Sequence, residues 1–376
     1  MTLVLPDSVV PVALRLMRAN RAFVTAEGAR RRIRERELRP IPYGPPGRLR
    51  SGIRVDVEQV DGWPVYTILP PEVRGAAVYV HGGGWVNEIA AQHWHLAARI
   101  AAEASVAVVV PIYPLVPFGT AQEARDGVVA LVRRSIEKYG ATCLAGDSAG
   151  GQIALSAALA LRDEDVVLPR TILISPALDL SWSNPRIPIV QPTDPWLGTP
   201  GGRVLAEHWR GELDLLDPVV SPLFGELAGL GPITAFTGTR DVLNPDAHVL
   251  AEKARAAGVS FELREAAGQV HVYPLVPTRA GREAQEQIVD AVRAGVAGVD
   301  LRASGCPILG RGRCVPGWDS WVLRAAARTP PSGCGARHPR RALANVAGWQ
   351  RLRPTYPRRK SCPDLARPCE DLPCGW

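Results

Sequence analysis

Ser148 lies in the run Gly146-Asp147-Ser148-Ala149-Gly150-Gly151. The run follows the β-branched stretch TCLAG (142–146) and precedes the helical stretch GQIALSAALALR. A strand that must turn at once into a helix needs small residues on either side of the turn, and Gly146 and Gly150 supply them. Ser148 then sits on a tight elbow with its hydroxyl exposed. The helix N-terminus behind it offers N–H groups and positive potential to a developing oxyanion. A second run, His81-Gly82-Gly83-Gly84-Trp85, follows AAVYV (76–80). Three consecutive glycines let backbone N–H groups approach a ligand. Together with the Ala149 N–H, those of Gly82, Gly83 and Gly84 form a candidate oxyanion hole. No Lys-Ser or Lys-Thr follows the glycines, as a phosphate loop would require.

A serine hydroxyl needs a base. Of seven histidines, His338 lies near the C-terminus, His93, His95, His208 and His248 read as helical, and His81 belongs to the glycine loop. His271, in Gly268-Gln269-Val270-His271-Val272-Tyr273, follows the last strand and is the candidate base. The orienting acid should lie between Ser148 and His271 at a strand end. Asp241, after ITAFT (233–237), fits, and Asp246 is the alternative, read instead as opening the next helix. Asp179 reads as structural or pocket-lining, and Cys143 as core. Chemistry of this kind is acyl transfer and needs no metal or organic cofactor. The cysteine spacings match no zinc pattern.

The elements that must position these groups are legible around them. Strand candidates are 53–60, 65–69, 76–80, 106–110, 142–146, 171–175, 233–237 and 260–265, with helices near 91–104, 121–138, 149–162, 245–257 and 280–296. The first two strands alternate in polarity, as a half-exposed antiparallel edge does. Most later ones are continuous apolar runs, as strands buried on both faces are. The alternation predicts an α/β fold with a mostly parallel sheet flanked by helices. Residues 1–50 read as N-terminal helices and a linker. Residues 51–300 read as the catalytic domain, interrupted at about 181–225 by a Pro-, Trp- and Gly-rich insertion that suits a lid.

The 376 residues carry a formal charge of +7, unevenly spread. Residues 301–376 hold 14 Lys and Arg against 4 Asp and Glu, while the first 300 hold 30 basic and 33 acidic residues. The basic excess belongs to a Cys-, Pro- and Arg-rich tail expected to be disordered, so charge gives no reason to expect nucleic acid at the main site. One cysteine among the first 300 residues fits a reducing cytoplasm. The N-terminus reads as neither signal peptide nor anchor. An apolar stripe over 8–24 with Arg15, Arg18 and Arg21 would permit lipid contact, but a helix packing over the pocket is the favoured reading. A homodimer is compatible with the sequence.

At these residues the chain resembles the hormone-sensitive-lipase-like branch of the α/β-hydrolase fold, over about 50–297. The likeness rests on the H-G-G-G loop, the G-D-S-A-G elbow, the Asp241-Val242-Leu243 segment and a late His271. It implies a serine carboxylesterase acting on short-to-medium acyl esters of small molecules, with Ser148 as nucleophile, His271 as base and Asp241 as orienter. His81, Trp85, Gly146, Asp147 and Gly150 would support the site. It also implies a cap built from the N-terminal helices and the insertion. Two rivals remain: an amidase, deacetylase or lactonase on the same scaffold, and a non-catalytic ligand-binding homologue.

Overall fold

The computed structural model describes residues 5–16, 22–38, 41–47 and 49–298. The expected tail lies outside them. Eight strands form one sheet: β1 (Arg54–Val60), β2 (Trp63–Leu69), β3 (Ala76–Val80), β4 (Ala107–Pro111), β5 (Thr142–Asp147), β6 (Thr171–Ile174), β7 (Ile233–Gly238) and β8 (Phe261–Ala266). Their spatial order is β1-β2-β4-β3-β5-β6-β7-β8. β2 runs antiparallel to both β1 and β4, and all other pairs are parallel. The polarity alternation of the first two segments therefore marks the antiparallel edge. The apolar runs of β3 to β7 are buried along their whole length, because helices cover both faces.

Nine α-helices accompany the sheet among the described residues: α1 (Val10–Leu16), α2 (Ala26–Leu38), α3 (Ala91–Ala104), α4 (Ala121–Tyr139), α5 (Ala149–Asp163), α6 (Ile187–Val190), α7 (Thr199–Trp209), α8 (Asn244–Ala256) and α9 (Arg279–Ala297). One core layer packs Trp94, Leu96 and Ile100 of α3 with Ile288 and Val292 of α9. The opposite layer joins Val128 and Val132 of α4, Ile153 and Leu155 of α5 and Leu250 of α8. It continues into Trp182, Ile187, Leu205 and Trp209 of the 181–225 insertion and Ala29 and Ile33 of α2.

The chain's first described residue, Leu5, is held against the segment just before α9. The Leu5 N–H donates to the Pro277 carbonyl at 2.8 Å, and Leu5 bridges Thr278. None of the described helices is long and apolar enough to cross a membrane.

Candidate active site

Four loops at the C-terminal ends of the parallel strands converge, the usual place for a site in an open α/β sheet. Ser148 alone separates β5 from α5, with φ 52° and ψ −118°. This conformation is strained for a residue with a side chain, at about 1–3 kcal/mol. It persists because both flanks are fixed. The Ser148 N–H donates to the Ile174 carbonyl at 2.8 Å, and a side chain on Gly146 or Gly150 would overlap backbone of Gly150 or Val80. The small flanking residues inferred from the motif are thus required by contact.

His271 follows β8 in a loop and is buried. Its Nε2 lies 2.9 Å from the Ser148 Oγ, and its Nδ1 lies 2.9 Å from Asp241 Oδ2. The three groups that sequence reading singled out thus form one hydrogen-bonded chain. Asp241 is fully buried, and its Oδ1 accepts from the Leu243 N–H at 2.9 Å. Burial opposes charge on His271, but the Asp241 carboxylate outweighs it and raises the imidazole above its ordinary range. The loop itself is pinned by Ser175, whose buried Oγ accepts from the Val272 N–H at 3.0 Å.

The glycine loop needs one correction. The Gly82 N–H donates to Asp147 Oδ1 at 3.0 Å, so it is not free to bind an oxyanion. Among the described residues the N–H groups of Gly83, Gly84 and Ala149 have no internal acceptor. Gly83 has φ 127°, which favours glycine, and at Gly84, with φ 60°, a Cβ would overlap the Phe23 ring. Gly82 serves a different purpose: a Cβ there would overlap Asp147, so its smallness lets the loop dock on the elbow.

Asp147 is the hub of that docking. Its Oδ1 also accepts from the Tyr79 hydroxyl at 2.6 Å, and its Oδ2 lies 3.2 Å from His93 Nε2. The Ala90 N–H donates to His93 Nδ1 at 2.9 Å, which fixes the proton on Nε2, where it is donated to Asp147. Burial favours the protonated carboxyl. Nearby His93 and the hydrogen bonds from His93 and Tyr79 outweigh it and hold Asp147 below the ordinary carboxylate range. His81 is buried against Tyr113, with ring centroids 4.7 Å apart. Burial, aided by His93, pushes it down to about 4, so it is neutral and donates from Nδ1 to the Gly82 carbonyl at 2.7 Å. Trp85 donates to Gln152 Oε1 at 3.1 Å, as Trp209 of α7 does at 2.9 Å. From α2, Arg36 pairs with Glu88 at 2.7 Å.

The insertion reaches the site as well. Asp194 accepts from the N–H groups of Trp196 and Leu197 and, across the chain, from that of Val242, next to Asp241. Loss of water and the Asp241 charge push its carboxyl up to about 6. The Trp196 ring meets His271 edge-on at 5.8 Å. Sequence reading missed Asp194, Trp196, His93 and Gln152, because no local pattern marks a contact made across the fold. Asp179 accepts from Ser181 and Ser183, a structural use, and Cys143 is buried with its thiol pushed up to about 12 by that burial.

Asp246 does open α8, in its first turn, but it is fully buried. Asn184 Nδ2 donates to its Oδ1 at 2.7 Å, and its Oδ2 has no partner. Burial pushes this carboxyl up to about 7. The folded protein keeps a proton that the unfolded chain releases near pH 4, so this group subtracts from stability as pH rises from about 4 to 7. Asp246→Asn keeps the Asn184 contact and removes the titration. It is expected to stabilise the protein at pH 8, on the order of 2–4 kcal/mol, and to change little at pH 4. Thermal unfolding at both pH values checks this, and an equal shift at both would count against it.

Two cavities meet at Ser148. One of about 500 Å³ is bordered by His271, Trp196, Leu275 and Pro277, and by Val10 and Leu14 of α1. The other, about 30 Å³, lies beside Trp85, Ala177, Trp182, Leu205 and Leu243.

This sheet, elbow and strand-end cluster define an α/β hydrolase, and comparison with known proteins agrees. Residues 77–275 match the family described as the alpha/beta hydrolase fold. A triacylglycerol lipase of Mycobacterium tuberculosis is 32% identical over 240 residues, 62% of this chain and 50% of the lipase. An acetyl-hydrolase of Streptomyces hygroscopicus is 32% identical over 217 residues, 56% of this chain and 72% of that enzyme. Among solved structures, an esterase from the bacterial hormone-sensitive lipase family superposes with a TM-score of 0.66 at 25% identity, covering 78% of this chain and 99% of that one. The chain belongs to the α/β-hydrolase family, in its hormone-sensitive-lipase-like branch. It spans about half the length of the matched lipase.

Proposed function

We propose that the protein is a serine carboxylesterase that works through an acyl-enzyme. The observation that carries this reading is the chain Ser148 Oγ, His271 Nε2, His271 Nδ1, Asp241 Oδ2, with both links at 2.9 Å. His271 takes the hydroxyl proton as Ser148 Oγ attacks the ester carbonyl carbon. The negative charge moves onto the carbonyl oxygen, where the N–H groups of Gly83, Gly84 and Ala149 receive it. The tetrahedral intermediate collapses, the bond to the alkoxy oxygen breaks, and His271 returns its proton to the leaving alcohol. Water then attacks the acyl-enzyme by the same route and releases the acid and free Ser148. Asp241 holds the imidazole tautomer and stabilises the imidazolium.

α2 and the insertion, packed on each other, act as the cap that shields this chemistry from water. The esterase names of an Acinetobacter venetianus relative and of the superposed structure favour ester cleavage over amide cleavage. The single cysteine of the first 300 residues suits a reducing compartment such as the cytoplasm.

The test is hydrolysis of 4-nitrophenyl acetate across pH, together with labelling by a fluorophosphonate. The base must be neutral to act, and Asp241 raises its pKa. The rate should therefore climb with pH through a midpoint above about 6.5, the ordinary imidazole value. The phosphonyl adduct should map to Ser148 by peptide mass. An adduct elsewhere, or turnover without His-like titration, would overturn the assignment.

A further inference from the structure

We infer that the ester carries an acetyl group on a large, mainly apolar alcohol. This deepens the esterase reading and rests on it. The orientation of the ester follows from the proton route. The carbonyl oxygen must face the N–H groups of Gly83, Gly84 and Ala149. The leaving oxygen must come within reach of His271 Nε2, because it takes its proton there. The alcohol therefore leaves into the space that His271 borders, and the acyl chain points the other way.

The two spaces differ greatly in size. His271 borders the cavity of about 500 Å³ and is absent from the lining of the one of about 30 Å³. Ser148, Gly84, Phe23 and Leu197 border both, so Ser148 stands at their junction. The smaller space has less than a tenth of the volume of the larger, so the short arm of the ester belongs in it and the bulky arm in the other. An acetyl group fits it. A butyryl group brings two further methylenes.

The small space is also walled by parts that resist moving. Trp182 lies so close to Gly202 that a Cβ there would overlap its ring. Leu205 is fully buried. Trp85 stacks on Trp209 with centroids 6.0 Å apart, and both indole N–H groups are held by the buried Gln152. Opening this side would break those hydrogen bonds and unpack the aromatic cluster. The large cavity is different in character. Val10, Leu14, Trp196, Leu275 and Val276 make it apolar, and Asn87, Glu88 and Gln92 give it one polar border. An alcohol that is bulky and apolar with a polar end matches it.

The test needs the purified 376-residue chain and two ester series. The first holds the alcohol constant, as 4-nitrophenyl acetate, butyrate, hexanoate and octanoate. The second holds the acyl group constant, as ethyl, butyl and octyl acetate, whose leaving groups differ little in basicity. One excess methylene at a filled pocket costs about 10–200-fold in kcat/KM. In the first series kcat/KM is therefore expected to fall at least tenfold from acetate to butyrate, and further beyond. In the second it is expected to rise at least tenfold from ethyl to octyl. Trp182→Ala, and separately Leu205→Ala, should move the acyl preference toward butyrate while leaving the alkyl acetate trend in place.

Octanoate turned over as well as acetate by the unaltered protein would overturn the inference, and so would a flat alkyl acetate series. Either result would leave the esterase reading standing. Absence of turnover of every ester, with no phosphonyl adduct at Ser148, would instead remove the esterase reading itself.

Discussion

Ser148→Ala is expected to lower kcat toward 4-nitrophenyl acetate by about 10⁶-fold, leaving only the catalysis that binding and the oxyanion donors supply. The hydroxyl lies 2.9 Å from His271 Nε2, and among the described residues Ser148 is the one nucleophile that borders both cavities. Asp241→Asn is expected to cost about 10⁴-fold, because an amide facing Nδ1 favours the wrong imidazole tautomer. Groups that act as one unit do not add, so the double variant should be no slower than Ser148→Ala alone. A further loss in the double variant would mean that Asp241 supports the fold and not the base. The elbow offers a second readout. Ser148 has φ 52°, a conformation that glycine adopts without strain. Ser148→Gly should therefore be as inactive as Ser148→Ala yet melt at a higher temperature, since both remove the hydroxyl and only glycine relieves the backbone. Calorimetry of the two inactive variants decides this, and equal melting temperatures would sink the strain argument.

Asp147→Ala is expected to destabilise the protein strongly. Its carboxylate takes hydrogen bonds from the Tyr79 hydroxyl, the Gly82 N–H and His93. All four residues are buried. Removing the acceptor strands three donors, each worth about 1–3 kcal/mol, so a loss of about 3–9 kcal/mol is expected. That is a large part of the stability of a typical domain. Asp147→Asn separates structure from chemistry. Its oxygen can still accept from Tyr79 and Gly82, but its NH₂ group meets the N–H of His93. His93 cannot turn its proton to Nδ1 without losing the Ala90 N–H. A smaller loss of about 1–3 kcal/mol should accompany a fall in kcat of up to about 10²–10³-fold, with KM little changed, because the loop carrying Gly83 and Gly84 hangs from this carboxylate. Urea unfolding and initial-rate kinetics on the same preparations check both parts. Wild-type stability in Asp147→Ala would refute the hub.

The sequence by itself determined the order and type of the elements and the identity of the reactive groups. Eight strand segments and five helices were legible because each is local. The apolar runs of β3 to β7 must be buried on both faces, and a strand turning at once into a helix admits only small residues beside Ser148. The position of His271 after the last strand follows from the same order of elements. Tertiary structure decided how the groups are used. Gly82 looks like a fourth oxyanion donor in the sequence, yet its N–H is taken by Asp147, 65 residues away, because β3 and β5 are neighbours in register. His93 and Asp147 meet across 54 residues for a related reason, when α3 folds back beside the loop. The insertion's Asp194 and Trp196 reach Asp241's neighbour and His271 only once the chain has returned over the sheet. Asp246 shows the limit most directly. Its place in the first turn of a helix is readable from the sequence, but burial, which removes the water a carboxylate needs, is a property of what packs around it. Spacing along a chain constrains neighbours within a turn or a strand. Hydrogen-bond partners and dielectric surroundings are set by which distant segments the sheet brings side by side.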